Sequence, residues 1–558
     1  MQQPQTIIEA LEFSAAQPGG RGIAVYDRRG QKAEFHSHAE LLARAALSAA
    51  KLAAAGIAPG DRVLMCAPTH WDLIDAFFGC LLRGALPTLV APPGGLGGAS
   101  AHAKKIEALV ELLGSRRIFC DDATRAELLE FSSPAIAKLT LTAAELFALT
   151  PAAGIKTHRA NPGELAFLQL TSGSTGRQRA VMIRHSNVIS NTRAISRFLG
   201  AKPHSSDNSA VSWLPLNHDM GLVGNLLFSI CDGLNMHLFR PETFLARPAA
   251  WLRALASHPG SFASAPNFAY QLCVERVDLA ELAGCDLSDC RGMLTGAEMI
   301  RPETCVAFEK KFAPLGFKPH LFLPCYGMAE ATLAVTADLR REGPRTISAS
   351  GVDESLRAGL GSNALVCTGA PVLDTSVSIR APGTDQNLSD GKVGEVCVSG
   401  AGVFAGYYND PEATAAALQN GWLRTGDLGF LKDGELYLTG RCKDLLIIHG
   451  HNIMPHEIEW LADSATGAGG SERSGAFSIS RGAEGEQAVV VLELAAVDAS
   501  TLTALEHDIR SRVGRALGLP LADVLFIKRG QMPKTTSGKV QRAELRRRYL
   551  EGQLERLV

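Results

Sequence analysis

Two hydrophobic rhythms alternate along the first third of the chain. Gly22-Ile23-Ala24-Val25-Tyr26 and Arg62-Val63-Leu64-Met65-Cys66 are short apolar runs that read as buried strands. Between them, His38 to Ala55 is rich in Ala and Leu and reads as a helix, with Ser37 placed to cap it. A further helical stretch follows Trp71, and Leu165-Ala166-Phe167-Leu168-Gln169-Leu170 reads as another strand. Strands alternating with helices predict an α/β fold with largely parallel sheets. Val90 to Ser100, dense in Pro and Gly, reads as a loop. Between Thr336 and Thr368 the rhythm fails. That segment is charged, then rich in Gly and Ser, and reads as an insertion with few core contacts of its own. Turn residues at Thr439-Gly440-Arg441, after the strand Glu435-Leu436-Tyr437-Leu438, suggest a boundary. The expected division is residues 1–440 and 441–558, the second part small, with strands at Ala488 to Leu494 and Val524 to Lys528.

A chain of 558 residues is too long for one core, which agrees with two or more domains. Its 46% hydrophobic and 20% charged residues are those of a soluble globular protein. A net charge of −2 gives no reason to expect nucleic acid or an anionic membrane as a partner. Arg546-Arg547-Arg548 reads as a solvated helix face. The 12 cysteines are scattered without a C-x-x-C pair, so zinc is not expected. Met1 to Gln5 does not resemble a signal peptide, and the most apolar stretch, Leu73 to Leu89, is broken by Asp75 and Arg83. The expectation is a cytoplasmic, reduced protein without stable membrane insertion.

Candidate chemistry begins at Thr171-Ser172-Gly173-Ser174-Thr175-Gly176, directly after an apolar strand. Glycines let backbone N–H groups approach an anion, and the hydroxyls donate further bonds. The run is not G-x-x-x-x-G-K-[ST], because Arg177 follows the last glycine. Alone it reads more readily as a flexible surface linker. Further on stand Tyr326-Gly327-Met328-Ala329-Glu330, Thr425-Gly426-Asp427-Leu428-Gly429, Gly440-Arg441-Cys442-Lys443-Asp444 and Pro533-Lys534-Thr535-Thr536-Ser537-Gly538-Lys539. Each has an ordinary alternative: a core aromatic at a turn, a helix cap, a solvated lysine.

As an ordered set these motifs resemble the adenylate-forming superfamily of acyl-CoA synthetases, adenylation domains and luciferases, from about residue 20 to residue 545. Trp213-Leu214-Pro215-Leu216-Asn217-His218-Asp219-Met220-Gly221-Leu222, Pro266-Asn267-Phe268-Ala269-Tyr270 and Leu323-Pro324-Cys325-Tyr326-Gly327 are similar to the fatty acyl-AMP ligases within it. The Thr336 to Thr368 break falls where those ligases carry an insertion. The resemblance implies a large N-terminal domain of α/β layers with a small β-barrel-like part, and a small mobile α+β C-terminal domain. It implies ATP and Mg²⁺ as cofactors, a fatty acid as substrate and a holo acyl carrier protein as acceptor.

Residue by residue, the resemblance assigns Thr171, Ser172, Gly173, Ser174, Thr175 and Gly176 to the phosphates, and Glu330 to Mg²⁺. Tyr326, Gly327 and Met328 would lie against adenine, with Gly296-Ala297-Glu298 on its other side, and Asp427 and Arg441 at the ribose. Lys539 would be the catalytic cation and Lys443 the hinge. His218, Met220, Phe268 and Tyr270 are candidates for the acyl pocket, His218 having a structural histidine as its alternative. The chain departs from the family pattern twice. Arg177-Gln178-Arg179-Ala180 stands where x-Pro-Lys-Gly is usual, and Ala329 stands where Thr is usual. Two other functions remain open at this stage, an acyl-CoA or aryl-CoA synthetase and a non-catalytic adenylate- or acyl-binding module. Retention of Glu330, Asp427, Arg441 and Lys539 together opposes the latter.

Overall fold

The computed structural model describes residues 3–31, 33–93, 98–171, 178–201, 203–204, 208–258, 260–348, 364–448, 451–466, 473–480, 486–495, 498–534 and 539–557. The fold is α/β, as the alternating pattern predicts. Gly22–Tyr26 and Arg62–Cys66 are strands, and the helix His38–Ala54 opens with Ser37 and Glu40 bonded reciprocally in a capping box. One expectation fails: helix Gly98–Leu113 begins inside the stretch read as a loop. Its apolar face, with Ala103, Ile106, Leu109 and Leu113 fully buried, outweighs the glycines that precede it.

A nine-stranded sheet forms the centre of the N-terminal unit. Strands Phe322–Gly327, Gly292–Thr295, Ser261–Ala265, Ser209–Ser212, Asn235–Leu238 and Gly22–Tyr26 run parallel, and antiparallel strands close both edges. A second, parallel sheet orders Leu86–Leu89, Arg62–Cys66, Arg117–Cys120 and Thr140–Thr142. The hairpin Leu165–Thr171 and Arg179–Arg184 lies against it. The expected barrel-like part is an antiparallel sheet built on Trp422–Lys432, with Gly394–Gly400 on one side and Glu435–Arg441 on the other.

The C-terminal unit has its own apolar core, drawn only from Leu446 onward. Strands Ser474–Ser480, Glu486–Leu494 and Leu521–Lys528 form its sheet, covered by helices Pro455–Ala465, Ala499–Leu517 and Arg542–Leu550. Arg441 still pairs with Asp427 in the N-terminal sheet, so it closes that unit rather than opening the next.

The Thr336 to Thr368 segment differs from its expectation. Thr336 lies within strand Ala334–Ala337 and is fully buried, its hydroxyl donating to the Thr368 carbonyl. Thr346–Ile347 pairs with Leu365–Val366, and Arg345 binds Asp338 at 3.2 Å and Glu435. These flanks are built into the core, because buried charges and hydroxyls find long-range partners that local periodicity does not display. Residues 349–363 lie outside the described residues.

A buried ion pair crosses between the two units. Arg301 Nη2 donates to Asp463 Oδ2 at 2.7 Å, with side chains 7% and 1% exposed, and the guanidinium lies 5.3 Å over Trp460. Removing one partner of such a pair costs roughly 3–5 kcal/mol, because the other charge stays buried. Arg301→Ala is therefore expected to undock the C-terminal unit and speed proteolysis at residues 442–445, with each unit still folded. Burial holds the Asp463 carboxyl up at about 6, against the pull of Arg301, from an ordinary 3.8. Relative to the unfolded chain, the folded protein then takes up a proton between those values, so its stability rises as pH falls through about 6. Asp463→Asn should remove this pH dependence; proteolysis equally pH-dependent in that variant would assign it elsewhere.

Candidate active site

One large cavity, about 1160 Å³, opens where the two units meet. Its polar half gathers the ends of several strands. Thr171 ends strand Leu165–Thr171 and lines this half, while Ser172, Gly173, Ser174, Thr175 and Gly176 lie outside the described residues. Gln178 and Arg179 return on the far side of that loop. The Arg179 guanidinium is partly committed, 3.5 Å from Asp410 and stacked over Tyr407.

Tyr326 sits on the edge of the parallel part of the main sheet and is nearly buried; its hydroxyl donates to Asp427 Oδ2 at 2.6 Å. Arg441 Nε donates to the other oxygen, Oδ1, at 3.0 Å. Asp427 and Arg441 are direct cross-strand neighbours, so sheet register brings the pair together. Each carboxylate oxygen retains a further acceptor site. Gly327 is required where it stands: a Cβ there would lie 2.0 Å from the Leu333 carbonyl oxygen. A Cβ at Gly296 would lie 2.7 Å from the Cys325 carbonyl oxygen, and Ala297, in the left-handed region at φ 68°, turns the chain so that it and Glu298 line the cavity. Glu298 Oε1 accepts from the Phe268 N–H at 2.7 Å.

Glu330 follows Tyr326 on a tight turn and accepts from the Tyr407 hydroxyl at 2.9 Å. Burial pushes its carboxyl pKa up, and hydrogen bonds pull it only part of the way back. A buried carboxylate held in this way gains from a hard cation. Among the described residues no three His, Cys, Asp or Glu side chains cluster as a metal site. Glu330 thus fits Mg²⁺ as a single protein ligand, with substrate oxygens and water completing the shell. Thr332 does not stand in for the hydroxyl missing at Ala329. It is fully buried at φ 67°, its hydroxyl donating to the Gly402 carbonyl at 2.6 Å.

Lys539 enters the cavity from the C-terminal unit. Burial and the neighbouring Arg441 charge lower its pKa, while Asp219, Glu298 and Asp427 act against them. Asp219 was not singled out by sequence reasoning, although it stands beside His218 in the same motif. His218 Nδ1 lies 2.6 Å from Asp219 Oδ1. Burial pushes the Asp219 carboxyl up, but the His218 charge and hydrogen bond, with Lys539 beyond, leave it below its ordinary value. Lys443 also lines the cavity, next to Asp444, which binds Arg542 at 3.0 Å.

The cavity lining takes in two of the four acyl-pocket candidates. His218 and Met220 line the cavity, but Phe268 and Tyr270 do not. Tyr270 is 1% exposed, packed among Trp251, Phe308 and Phe322, with its hydroxyl donating to the Leu294 carbonyl at 2.7 Å. Phe268 packs against Trp213. Apolar lining comes instead from Ile195, Phe198, Gly224, Phe262, Leu294 and Leu333. These are spread over the chain as ordinary core residues, and no local signal separates them from their neighbours.

This two-unit architecture around one shared cavity is that of an adenylate-forming enzyme, a class that uses ATP. The chain belongs to the AMP-binding enzyme family, which matches residues 11–408, and within it to the fatty acyl-AMP ligases, enzymes of the acid–thiol ligase kind. A Mycobacterium marinum long-chain-fatty-acid–AMP ligase, FadD26, is 33% identical, over 94% of this chain and 93% of its own. A Caulobacter vibrioides protein provisionally named acyl-CoA synthetase is 34% identical, over 98% and 96%. A solved structure from a study of fatty acyl-adenylate ligases of E. coli and L. pneumophila superposes with a TM-score of 0.89 at 31% identity, covering 98% of both chains.

Removing the Tyr407 hydroxyl should push the Glu330 carboxyl further up, since that hydrogen bond favours the ionised form. In Tyr407→Phe the acid limb of adenylate formation is expected to move to higher pH. An unmoved limb in the pH–rate profile would show that Glu330 ionisation does not govern the reaction.

Proposed function

We propose that the protein activates a fatty acid as acyl-AMP, releases pyrophosphate, and passes the acyl group to the phosphopantetheine thiol of an acyl carrier protein. The observation that carries this reading is the position of Lys539. It enters a cavity lined both by carboxylate and cation groups and by apolar side chains. A carboxylate at the head of an acyl chain held by those apolar side chains would meet an α-phosphate beside this ammonium.

In the first half-reaction a carboxylate oxygen attacks the α-phosphorus. The bond to the β-phosphate breaks, and pyrophosphate leaves with the electron pair. No proton has to move, so positioning and charge neutralisation dominate. Thr171, Ser172, Ser174 and Thr175, with the backbone of Gly173 and Gly176, hold the phosphates. Glu330 supplies a ligand for Mg²⁺, which when bound neutralises phosphate charge. Tyr326, Gly327 and Met328 lie against adenine opposite Gly296, Ala297 and Glu298. Asp427 accepts from the ribose hydroxyls, and Arg441 orients Asp427 and donates beside it. Lys539 bridges the carboxylate and α-phosphate oxygens as charge accumulates. In the second half-reaction the thiolate attacks the acyl carbonyl and AMP departs. Rotation near Lys443 withdraws Lys539 and admits the carrier.

The acyl-CoA synthetase reading is kept by the name of the Caulobacter relative. Its fate rests on the Thr336 to Thr368 segment, whose described flanks are pinned to the N-terminal unit by Arg345. A segment fixed there restrains the domain motion needed for transfer to free CoA. Mass spectrometry of products from ATP, Mg²⁺, laurate and saturating CoA, then with a holo carrier, tests the proposal. Acyl-AMP with little acyl-CoA is expected; rapid stoichiometric acyl-CoA would overturn the carrier reading. Among the described residues no helix is long and apolar enough to cross a membrane.

Two variants probe the roles directly. Lys539→Ala should lower adenylate formation by a factor of at least ~100, on the order of 3 kcal/mol, while ATP binding by calorimetry is retained. Wild-type-like pyrophosphate release would remove Lys539 from the transition state. Gly224 lines the same cavity, and a Cβ there would meet Leu333 Cδ2 at 2.7 Å. Gly224→Leu is expected to shift the preferred substrate to shorter chains, with little change for the shortest acid accepted. An unaltered chain-length profile would place the acyl group elsewhere.

A further inference from the structure

At the phosphate end of the cavity lies a cation that the motifs do not reveal. Lys105 sits on helix Gly98–Leu113, which enters the fold through the second sheet rather than the main one. Its side chain lines the same cavity as Thr171, Gln178 and Arg179. It is joined there by Leu89, Val90 and Ala91, where strand Leu86–Leu89 gives way to the following loop. That strand packs against strand Leu165–Thr171, so Lys105 reaches the cavity beside the start of the 172–177 loop.

Three observations set Lys105 apart from a surface lysine. Among the described residues no carboxylate forms an ion pair with it, and the titratable group that acts on its charge is the Cys66 thiol. That thiol is fully buried, and burial holds it far above neutrality, so it offers no counter-charge. Lys105 is itself largely desolvated, which lowers its pKa. A buried ammonium without an anion is costly unless a ligand supplies one. Two other cations of the cavity are engaged: Arg179 by Asp410 and Tyr407, Arg441 by Asp427. The loop itself carries no lysine: Arg177 follows its last glycine, and Arg179 stands where the family pattern has lysine.

We infer that Lys105 binds the β- and γ-phosphates of ATP, and so the departing pyrophosphate, supplying on the second sheet a charge that the loop does not carry as lysine. This rests on the adenylate-forming reading of the cavity. An ammonium on a flexible stem suits a leaving group whose charge grows as the α–β bridge breaks. Lys105 touches only the part of ATP that departs, so the acyl-adenylate should not sense its loss.

The test uses the full chain with Lys105→Met and Lys105→Arg. Inorganic pyrophosphate binding is measured by calorimetry without fatty acid. Fatty-acid-dependent ATP–pyrophosphate exchange is measured in parallel, together with the affinity of an acyl-sulfamoyl adenosine that lacks β- and γ-phosphates. Lys105→Met is expected to raise the pyrophosphate Kd and its KM in exchange by about tenfold or more, consistent with loss of one charge-assisted contact. The adenosine analogue should bind as to wild type, and Lys105→Arg should recover part of the loss. Unchanged pyrophosphate affinity in Lys105→Met would overturn the proposal. So would an equal weakening of pyrophosphate and analogue, which would mark Lys105 as shaping the cavity as a whole. A wild-type protein that binds pyrophosphate yet shows no fatty-acid-dependent exchange would instead defeat the proposed function, while the calorimetric comparison would still decide the role of Lys105.

Discussion

The site depends on one carboxylate, Asp427. Its two oxygens take the Tyr326 hydroxyl at 2.6 Å and the Arg441 guanidinium at 3.0 Å. Tyr326 belongs to the main sheet, Asp427 to the antiparallel sheet, and Arg441 is the last residue before the C-terminal unit. A single buried group therefore ties the main sheet to the antiparallel sheet, at the strand from which the chain leaves for the C-terminal unit. Charge-assisted hydrogen bonds are among the stronger polar contacts, and low local dielectric strengthens them further. Placing them in the cavity wall stiffens the region that has to meet a ligand.

Around that centre charges of both signs line one cavity, among them Asp219, Glu298, Glu330 and Asp427 with Lys105, Arg179, Arg441 and Lys539. The consequences differ by position. Glu330 is pushed up by burial, whereas Asp219, equally buried, is drawn down by His218 and Lys539. Two carboxylates in one cavity thus have opposite shifts because one has a cationic partner and the other has a hydroxyl. The first kind is suited to holding a lysine, the second to accepting an external cation.

Much of this was legible in the sequence because the chemistry sits in short contiguous motifs. Tyr326 to Glu330, Asp427, Arg441 and Lys539 each fall in a run of turn and polar residues, and the cavity gathers all of them. The α/β rhythm was equally clear, since buried parallel strands are continuous apolar runs. What the sequence hid depends on distance along the chain. Tyr270 lies in a matching motif, yet its ring belongs to the aromatic core because Trp251, Phe308 and Phe322 surround it. Lys105 resembles any helix lysine until two sheets bring it beside Thr171. Arg301 and Asp463 are 162 positions apart, and neither carries a local mark of their buried bond. Thr336 and Thr368 bound an aperiodic segment but are themselves core residues, joined by a hydrogen bond across its ends.

The connection between the two units is short: residues 442–445 separate the last N-terminal strand from Leu446, where the C-terminal core begins. A tether of this length keeps Lys539 near the cavity even when the interface is open. Its effective concentration there is set by geometry, on the order of millimolar for short links, and not by how tightly the surfaces hold. The molecule can therefore tolerate weak docking without losing its lysine to solution. The interface is then free to favour release over grip, and a few buried charges suffice to decide which arrangement prevails.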